Sequence, residues 1–415
     1  MKNIFWILIV SLFFGHLKAI AQQIEVNFYT WRVQDKAVWD TINQRNLIPG
    51  VKVSTYSFTR NMYEDFIKMG LQNKQVDLFL WKPGASNLQE LIDYDLIAPF
   101  TGDLSMINPS ALVASKGSNN EYYGVAFAVQ LQSIIVNKKL VTKYGINTRP
   151  NSMDELYQAF DLLKAQGVTP IHIAGGANWY MAQVLAEVLV AGMVEEQFAQ
   201  NLIDGNACFT DPAYRAVFET LATWVQRGYV NDDAASGDYG VMSKEVGMGN
   251  SAMSIEGGWM IGPTSMFYEI DPQYEFDFWS VPGNSNKVYV LGDGSFQIAA
   301  NSKKQAALDK VLHFTTTREF AEIFAAQADE LPAYGLDFTI HSPVLNSMAT
   351  NAANKAYGVS LFNDFAINRG EPSYNTLVIE ALRGILDSAI TPQQATENIQ
   401  DGLNSWNYIG SANCQ

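Results

Sequence analysis

The chain has 415 residues, of which 48% are hydrophobic and 17% charged, and its 42 acidic against 27 basic side chains give a formal net charge of −15. This composition excludes intrinsic disorder, because ample apolar surface can be buried against the entropic cost of ordering the chain. The acidity argues against a nucleic acid or an anionic membrane as a partner. We therefore expect two or three globular domains and a small neutral or cationic ligand.

The first residues have the pattern of a signal peptide. Lys2 gives a basic start, residues 4–14 are almost wholly apolar, and Ala19-Ile20-Ala21 is typical of a signal-peptidase site. The apolar stretch is short for a permanent membrane anchor, and no cysteine at the junction could carry a lipid. We predict a cleaved signal peptide over 1–21 and a mature protein in a bacterial periplasm.

The first elements after this leader alternate between strand and helix. Hydrophobic periodicity and the positions of glycine and proline predict, in chain order, a strand from Ile24, a helix over 34–45, a strand from Val51, a helix ending at Gly70 and a buried strand over 76–80. Three strands separated by two helices within some sixty residues are typical of an α/β lobe.

The alternation then resumes with longer helices. The pattern predicts strands over 124–128 and 134–136, a helix from the capping box of Ser152 to Gly167, a strand over 170–173, an apolar helical face from Met181 to Val188 and a helix with Pro212 at its first position. The final third adds a strand over 292–300, a helix over 303–314, a helix capped by Thr316 and a helix opened by the capping box of Thr391. A second α/β lobe is the simplest interpretation.

The two cysteines, Cys208 and Cys414, leave two interpretations open. In an oxidising compartment they could form one disulfide. Cys414 is the next-to-last residue, on a terminal segment that we expect to fray. We therefore favour two unpaired cysteines and keep the disulfide as the alternative.

Motifs for common catalytic chemistries are missing from the sequence. No histidine spacing fits a compact metal site, and there is neither a phosphate-binding loop nor a nucleophile elbow. Gly247, Gly249 and Ala252 match G-x-G-x-x-A, but a strand-like segment follows them where dinucleotide binding needs a helix. Glu256 and Asp293 are the best candidates for a glycosidase pair, although a role in ligand binding or in capping a turn explains them more simply.

The positions of the tryptophans are more informative. Trp39, Trp224 and Trp279 lie in helical or extended patterns and are expected in the core. Ligands of open α/β sheets bind beyond the carboxyl ends of strands, and flat aromatic faces suit the C–H faces of sugar rings. Four of the nine tryptophans stand just after predicted strands and are expected to line a cleft, namely Trp31, Trp81, Trp179 and Trp259.

Four segments after the leader carry a further signal. They are 122–138 with Val136-Asn137-Lys138, 248–259 with Ala252-Met253 and Gly257-Gly258-Trp259, 292–303 with Asn301-Ser302-Lys303, and Thr391-Pro392-Gln393-Gln394-Ala395. They resemble, in the same order, segments of the maltose-binding-like extracellular solute-binding proteins, family 1, of ABC importers, in which the first segment has "YNK" and the last has "TPEEA".

This resemblance implies an α/β, two-lobed periplasmic-binding-protein fold of type II, in which each lobe is a mixed sheet flanked by helices and the ligand cleft lies between the lobes. The expected N-terminal lobe is 22–128 with 294–335, and the expected C-terminal lobe is 129–293 with 336–415, including the C-terminal helices. The cleft residues that the resemblance points to are Trp31, Trp81, Gln130, Trp179, Trp259 and Asp293.

The function implied by the resemblance is a monomeric periplasmic substrate-binding protein that captures a sugar or oligosaccharide for the permease subunits of an ABC importer. We expect no enzymatic activity, cofactor, metal or nucleic-acid partner, and no integral membrane segment. One alternative is a different solute, such as a polyamine, a metal or a phosphorylated compound. A second is a secreted glycoside-active enzyme, and a sensory role is compatible with either binding function.

Overall fold

The computed structural model describes residues 23–58, 60–262, 265–328, 330–335 and 342–414, so the predicted signal peptide over 1–21 lies outside the described residues. The strands are β1 (Ile24–Thr30), β2 (Val51–Ser57), β3 (Leu78–Trp81), β4 (Val125–Ala126), β5 (Val129–Asn137), β6 (Thr169–His172), β7 (Ser251–Gly257), β8 (Phe276–Trp279), β9 (Val288–Gly292), β10 (Ser295–Ile298) and β11 (Ala356–Tyr357).

Helices cover both faces of the sheets. The α-helices are α1 (Asp35–Arg45), α2 (Arg60–Gln72), α3 (Ala85–Asp93), α4 (Pro109–Leu112), α5 (Lys138–Lys143), α6 (Met153–Ala165), α7 (Glu187–Met193), α8 (Glu196–Ile203), α9 (Pro212–Gln226), α10 (Tyr239–Met248), α11 (Met266–Ile270), α12 (Gln305–Thr315), α13 (Arg318–Ala328), α14 (Pro343–Lys355), α15 (Phe365–Asn368), α16 (Tyr374–Leu386) and α17 (Pro392–Asn404). A π-helical segment, Tyr180–Ala186, precedes α7 directly.

The strands form two mixed sheets, one in each lobe. The first has the order β2-β1-β3-β10-β4, with β1 parallel to β2 and β3, and β10 antiparallel to its neighbours. The second has the order β11-β9-β5-β7-β6, with β8 also paired to β5. The chain passes from the first sheet to the second between β4 and β5, returns between β9 and β10, and passes to the second sheet again between β10 and β11. The predicted two-lobed α/β fold is confirmed.

The first residues of two helices can be compared with the caps that the sequence predicts. The predicted capping box of α17 is complete, since the Thr391 hydroxyl accepts the Gln394 N–H and the Gln394 side chain accepts the Thr391 N–H. The cap predicted at Thr316 is one residue off, because α13 begins at Arg318 and the Thr317 hydroxyl accepts the Phe320 N–H. Sequence patterns therefore located these helices to within a residue or two.

The strand predicted over 292–300 is shorter in the structure. β9 ends at Gly292 and β10 begins at Ser295. Gly294 turns the chain between them with a φ of 118°, and a β-carbon there would lie 2.2 Å from the Trp81 carbonyl oxygen. Only glycine fits this close approach, which is why the glycine pair marks the crossing between the lobes and not the start of a strand.

Cys208 and Cys414 form a disulfide, so the favoured prediction of two unpaired cysteines is wrong. The C-terminal segment is held in place by two amide side chains, because Asn413 Nδ2 donates to the Gly205 carbonyl and Asn404 Nδ2 donates to the Cys414 carbonyl. The bond to Gly205 spans 208 residues and places the tail against the loop before α9, where the two sulfurs meet, whereas the bond from Asn404 lies within the C-terminal segment.

Two further predictions concern residues that were expected to be structural. Trp39, Trp224 and Trp279 are all buried, as predicted. Gly249 follows α10 and precedes β7, which is the reverse of the strand-to-helix order that dinucleotide binding needs.

None of the helices in the described part of the chain combines the length and apolar character needed to cross a membrane.

Candidate functional site

Two adjoining cavities lie between the lobes. The smaller cavity has a volume of about 210 Å³. Residues 31–34 line it from the first lobe, Trp179, Gln183 and Trp259 line it from the second, and Asp293 lines it from the crossover. The larger, of about 480 Å³, lies between residues 82–84 and α16, and its lining includes Glu64, Asn87, Asn178, Phe362 and Asn375. Trp179 and Gln183 line both cavities, so the two cavities adjoin at these side chains.

Trp31 forms the aromatic wall on the side of the first lobe. It follows β1 and packs edge-on against Tyr63, with ring centroids 5.2 Å apart. The Lys82 ammonium lies 5.9 Å from the centroid of the Trp31 ring and is paired with Glu64 at 2.6 Å. These contacts fix the indole at the cavity surface, where it is only half-buried.

A cluster of three aromatic rings forms the opposite wall. The centroid of the Trp179 ring is 4.8 Å from that of Tyr239 and 6.2 Å from that of Trp259. Trp259 Nε1 donates to the Tyr239 hydroxyl at 2.9 Å, and this hydroxyl donates to Glu256 Oε2 at 2.9 Å. The indole N–H of Trp259 and the Tyr239 hydroxyl are thus bonded within the protein, and Trp179 and Trp259 line the cavity.

A buried charged network forms the floor of the smaller cavity. Arg32 Nε donates to Asp35 Oδ1 at 2.9 Å, and Nη1 lies 2.8 Å from Glu330 Oε2 and 3.7 Å from Asp293 Oδ2. Gln130 Nε2 donates to both Asp293 Oδ2 and Glu330 Oε2, at 3.2 Å each. One guanidinium thus forms ion pairs with three carboxylates, so acidic groups outnumber basic ones in the floor.

The electrostatics of this network keep Arg32 charged. Burial by itself lowers the pKa of its guanidinium, but the carboxylates of Asp35, Glu330 and Asp293 raise that pKa well above its ordinary value. Since a buried charge must be paired to be tolerated, Arg32 and its partners act as one unit. The floor therefore offers a ligand hydrogen-bond acceptors at Asp293, whereas both amide N–H groups of Gln130 are already donated to Asp293 and Glu330.

The predicted cleft residues do not all reach the cavities. Trp31, Trp179, Trp259 and Asp293 line the smaller one, and Gln130 is buried directly beneath it through its bond to Asp293.

The structure places Trp81 in the core and not in the cleft. The side chain is 2% exposed, and its Nε1 donates to the Asn87 carbonyl at 3.1 Å. Trp81 still pairs with Ser295 in the sheet, so it ends β3 and does not begin the loop. Period-two alternation turns it inward, and the cavity is lined by residues 82–84 that follow.

Sequence reasoning missed three polar residues of the site. Arg32 directly follows Trp31, and a charged residue just past a strand end is a signal that could have found it. Glu330 carries no such signal, because it meets Arg32 across a separation of 298 residues. Gln183 falls within the apolar helical face predicted from Met181 to Val188, where a helical pattern gives no reason to turn it toward a ligand.

The geometry offers little for catalysis. Glu256, one of the two candidate glycosidase acids, is fully buried and lies behind Tyr239. Among the residues that the structure describes, no three His, Cys, Asp or Glu side chains are grouped so that they could hold a metal ion. The arrangement is suited to binding a ligand between aromatic faces over a polar floor.

Comparison with known sequences gives two matches. The family described as bacterial extracellular solute-binding protein matches residues 36–322. An uncharacterized ABC transporter extracellular-binding protein of Pyrococcus horikoshii is 28% identical over 236 residues, which cover 56% of this chain and 52% of that protein. The chain thus spans about half the length of the curated relative that it matches.

Solved structures share the fold over nearly the whole chain. One, from work on xylan utilization by the thermophilic bacterium Caldanaerobius polysaccharolyticus, has a TM-score of 0.73 at 19% identity and covers 91% of this chain and 99% of its own. The solute-binding protein RafE of Streptococcus pneumoniae, in complex with raffinose, has a TM-score of 0.70 at 16% identity, covering 94% and 100%. At these identities the likeness concerns the fold.

Proposed function

The chain belongs to the bacterial extracellular solute-binding proteins, and from that premise we propose that it is the periplasmic substrate-binding protein of an ABC importer, with a sugar or oligosaccharide as its ligand. The ligand binds between the lobes, and the loaded protein is presented to the permease subunits. We assign 22–128 with 294–335 to one lobe and 129–293 with 336–415 to the other, since each sheet takes its strands from one of these sets.

The observation that carries the proposal is the pair of aromatic walls. Trp31 faces the cleft from one lobe, and Trp179 and Trp259 face it from the other. The C–H faces of a sugar ring stack on such surfaces, while its hydroxyls can donate to the Asp293 carboxylate, which Gln130 holds in place. A ligand held by both lobes favours the closed arrangement, because it shifts the equilibrium by its extra affinity for that state.

The charges of the cleft favour an uncharged sugar over a phosphorylated compound. The floor has three carboxylates for one guanidinium, and the larger cavity adds Glu64 and Glu371 against Lys82. An anionic group placed there would meet like charge at low dielectric, which is costly. A polyamine would find few carboxylates available for its ammonium groups, because Asp293 and Glu64 are already paired with basic side chains.

The raffinose complex of RafE supports the same class of ligand by analogy, since it shares the fold. The family is one of binding proteins, and we propose that this chain has no enzymatic activity. The buried position of Glu256 supports this, because a general acid must reach its substrate within hydrogen-bond distance.

Calorimetric titration of the purified protein against neutral sugars, acidic sugars and polyamines tests the proposal. We expect neutral sugars to bind and to be recovered intact by mass spectrometry. Trp179→Ala should weaken binding by about 1–3 kcal/mol, from lost stacking and burial. Tyr94→Ala removes an exposed aromatic ring outside both cavities and should leave affinity unchanged. Binding of polyamines alone, or release of cleaved sugar, would contradict the proposal.

A further inference from the structure

Gln183 is a buried polar side chain whose amide has no partner. It is 7% exposed and lines both cavities. Its amide makes no hydrogen bond to another residue that the structure describes, and its polar atoms are not sealed from solvent, so they face the space of the two cavities. A ligand that fills this space removes water from the amide, and native structures seldom leave a buried amide unsatisfied. A bound molecule is therefore expected to supply a hydrogen-bond partner to Gln183.

The local backbone explains how this residue comes to face the cleft. Gln183 lies at the centre of the π-helical segment Tyr180–Ala186, which begins directly after Trp179. The other side chains of the segment are apolar or aromatic and buried. Single π-helical turns occur frequently at functional sites, because they alter which side chain points to which face. Here the one polar amide of the segment is turned to the boundary between the two cavities.

The position of Gln183 relates to the length of the ligand. The smaller cavity, of about 210 Å³, holds the charged floor, and the larger one, of about 480 Å³, extends away from it toward Phe362 and Asn375. A carboxamide has an acceptor oxygen and two N–H donors. Ligand groups on both sides of the boundary can bond this oxygen and these N–H groups at the same time. A ligand confined to the smaller cavity leaves the larger cavity to solvent.

Resting on the proposed function, we propose that the ligand is an oligosaccharide of at least two units that occupies both cavities, and that Gln183 hydrogen-bonds it at their junction. The residue is thus a determinant of ligand length. Trp179, which lines the same boundary, supplies the stacking surface there.

The test is a length series. Affinities of the wild type and of Gln183→Leu are measured by calorimetry for glucose, maltose and maltotriose, for xylose, xylobiose and xylotriose, and for galactose, melibiose and raffinose. We expect the wild type to bind the longer members of a series at least tenfold more tightly than the monosaccharide. Gln183→Leu should weaken the longer members by about tenfold, the effect of one buried hydrogen bond, and weaken the monosaccharide by a smaller factor.

Gln34→Leu is the matched control. Gln34 lines only the smaller cavity, and its amide already donates to Glu330 Oε1 at 3.1 Å. This variant should leave the ratio between long and short ligands as in the wild type. Gln183→Met, with an unbranched side chain of similar length, provides a second variant if the leucine variant has a lowered melting temperature.

The outcomes separate this inference from the proposed function. Sugar binding without any dependence on length, or equal weakening of all lengths by both Gln183 variants, overturns the role of Gln183 while the sugar-binding function stands. If no carbohydrate of any length binds the wild type, the proposed function itself fails, and the inference fails with it.

Discussion

Glu187 makes the stability of the second lobe depend on pH. The residue begins α7 and is almost completely buried, and its Oε1 accepts the Phe362 N–H at 2.8 Å. Burial raises the pKa of its carboxyl to about 8, even though this hydrogen bond lowers it. The Phe362 side chain lines the larger cavity, so the segment that Glu187 holds is part of the candidate site.

The sign and size of the effect follow from the two pKa values. The folded chain keeps a proton on Glu187 up to a pKa of about 8, whereas the unfolded chain releases it near 4.5. The stabilisation is therefore fully present below pH 4.5 and is lost as the pH rises through about 8. The gap corresponds to roughly 4–5 kcal/mol of the free energy of unfolding.

Glu187→Gln removes this titration while keeping the size and the acceptor oxygen of the side chain. Urea denaturation of both proteins at pH 5, 7 and 9 measures the effect, and we expect the variant to gain stability relative to the wild type as the pH rises, by several kcal/mol at the upper end. Glu219→Gln, on the exposed face of α9, is the control and should show no such trend. A difference between wild type and Glu187→Gln that stays constant with pH would refute the buried neutral carboxyl.

Three further predictions concern the floor of the smaller cavity, the loop of residues 175–178 that precedes Trp179, and the disulfide near the C-terminus. Asp293→Asn should weaken sugar binding by about 1.5–3 kcal/mol in calorimetry, because a charged acceptor is lost; unchanged affinity would exclude a contact with the ligand. Arg383 donates to the Gly175 carbonyl and to Asn178 Oδ1, at 2.7 Å each. Arg383→Ala should therefore weaken sugar binding and alter the change in indole fluorescence when sugar is added. Titrations that match the wild type would show that the loop keeps its position without Arg383. Cys208→Ser should lower the free energy of unfolding by about 2–5 kcal/mol, and denaturation curves that match the wild type would show that the disulfide adds nothing.

Local patterns predicted the architecture because they act over a few residues. The capping box of Thr391, the proline that opens α9 and the burial of Trp39 depend on neighbours in the sequence, and each is found in the structure. The two-lobed fold follows from the alternation of such elements. Trp81 shows the limit of this reasoning, because one more residue in β3 moves a side chain from the loop to the core.

The remaining site residues depend on contacts that no local pattern records. Glu330 meets Arg32 across a separation of 298 residues. Cys414 lies beside Cys208 in a segment that Asn413 binds to the Gly205 carbonyl across 208 residues. Gln183 was hidden for a different reason, since a helical period assumes the same hydrogen-bond spacing throughout. The π-helical segment breaks that period at the boundary of the two cavities.

The walls and the floor of the cleft contribute to binding in different ways. Arg32, Asp293, Glu330 and Gln130 are bonded to one another, so the floor is one preorganised unit that a ligand can meet without rearrangement. The aromatic walls belong to separate lobes, and a ring is enclosed only when Trp31 and the Trp179 cluster approach it together. The floor joins the lobes as well, because Arg32 and Glu330 belong to the lobe that we assign to 22–128 with 294–335, whereas Gln130 and Asp293 belong to the other. Its bonds are made between the lobes themselves, whereas the two walls are joined only through a ring that lies between them. Because a ligand shifts a conformational equilibrium only through contacts that differ between the two states, we propose that stacking on both walls drives closure.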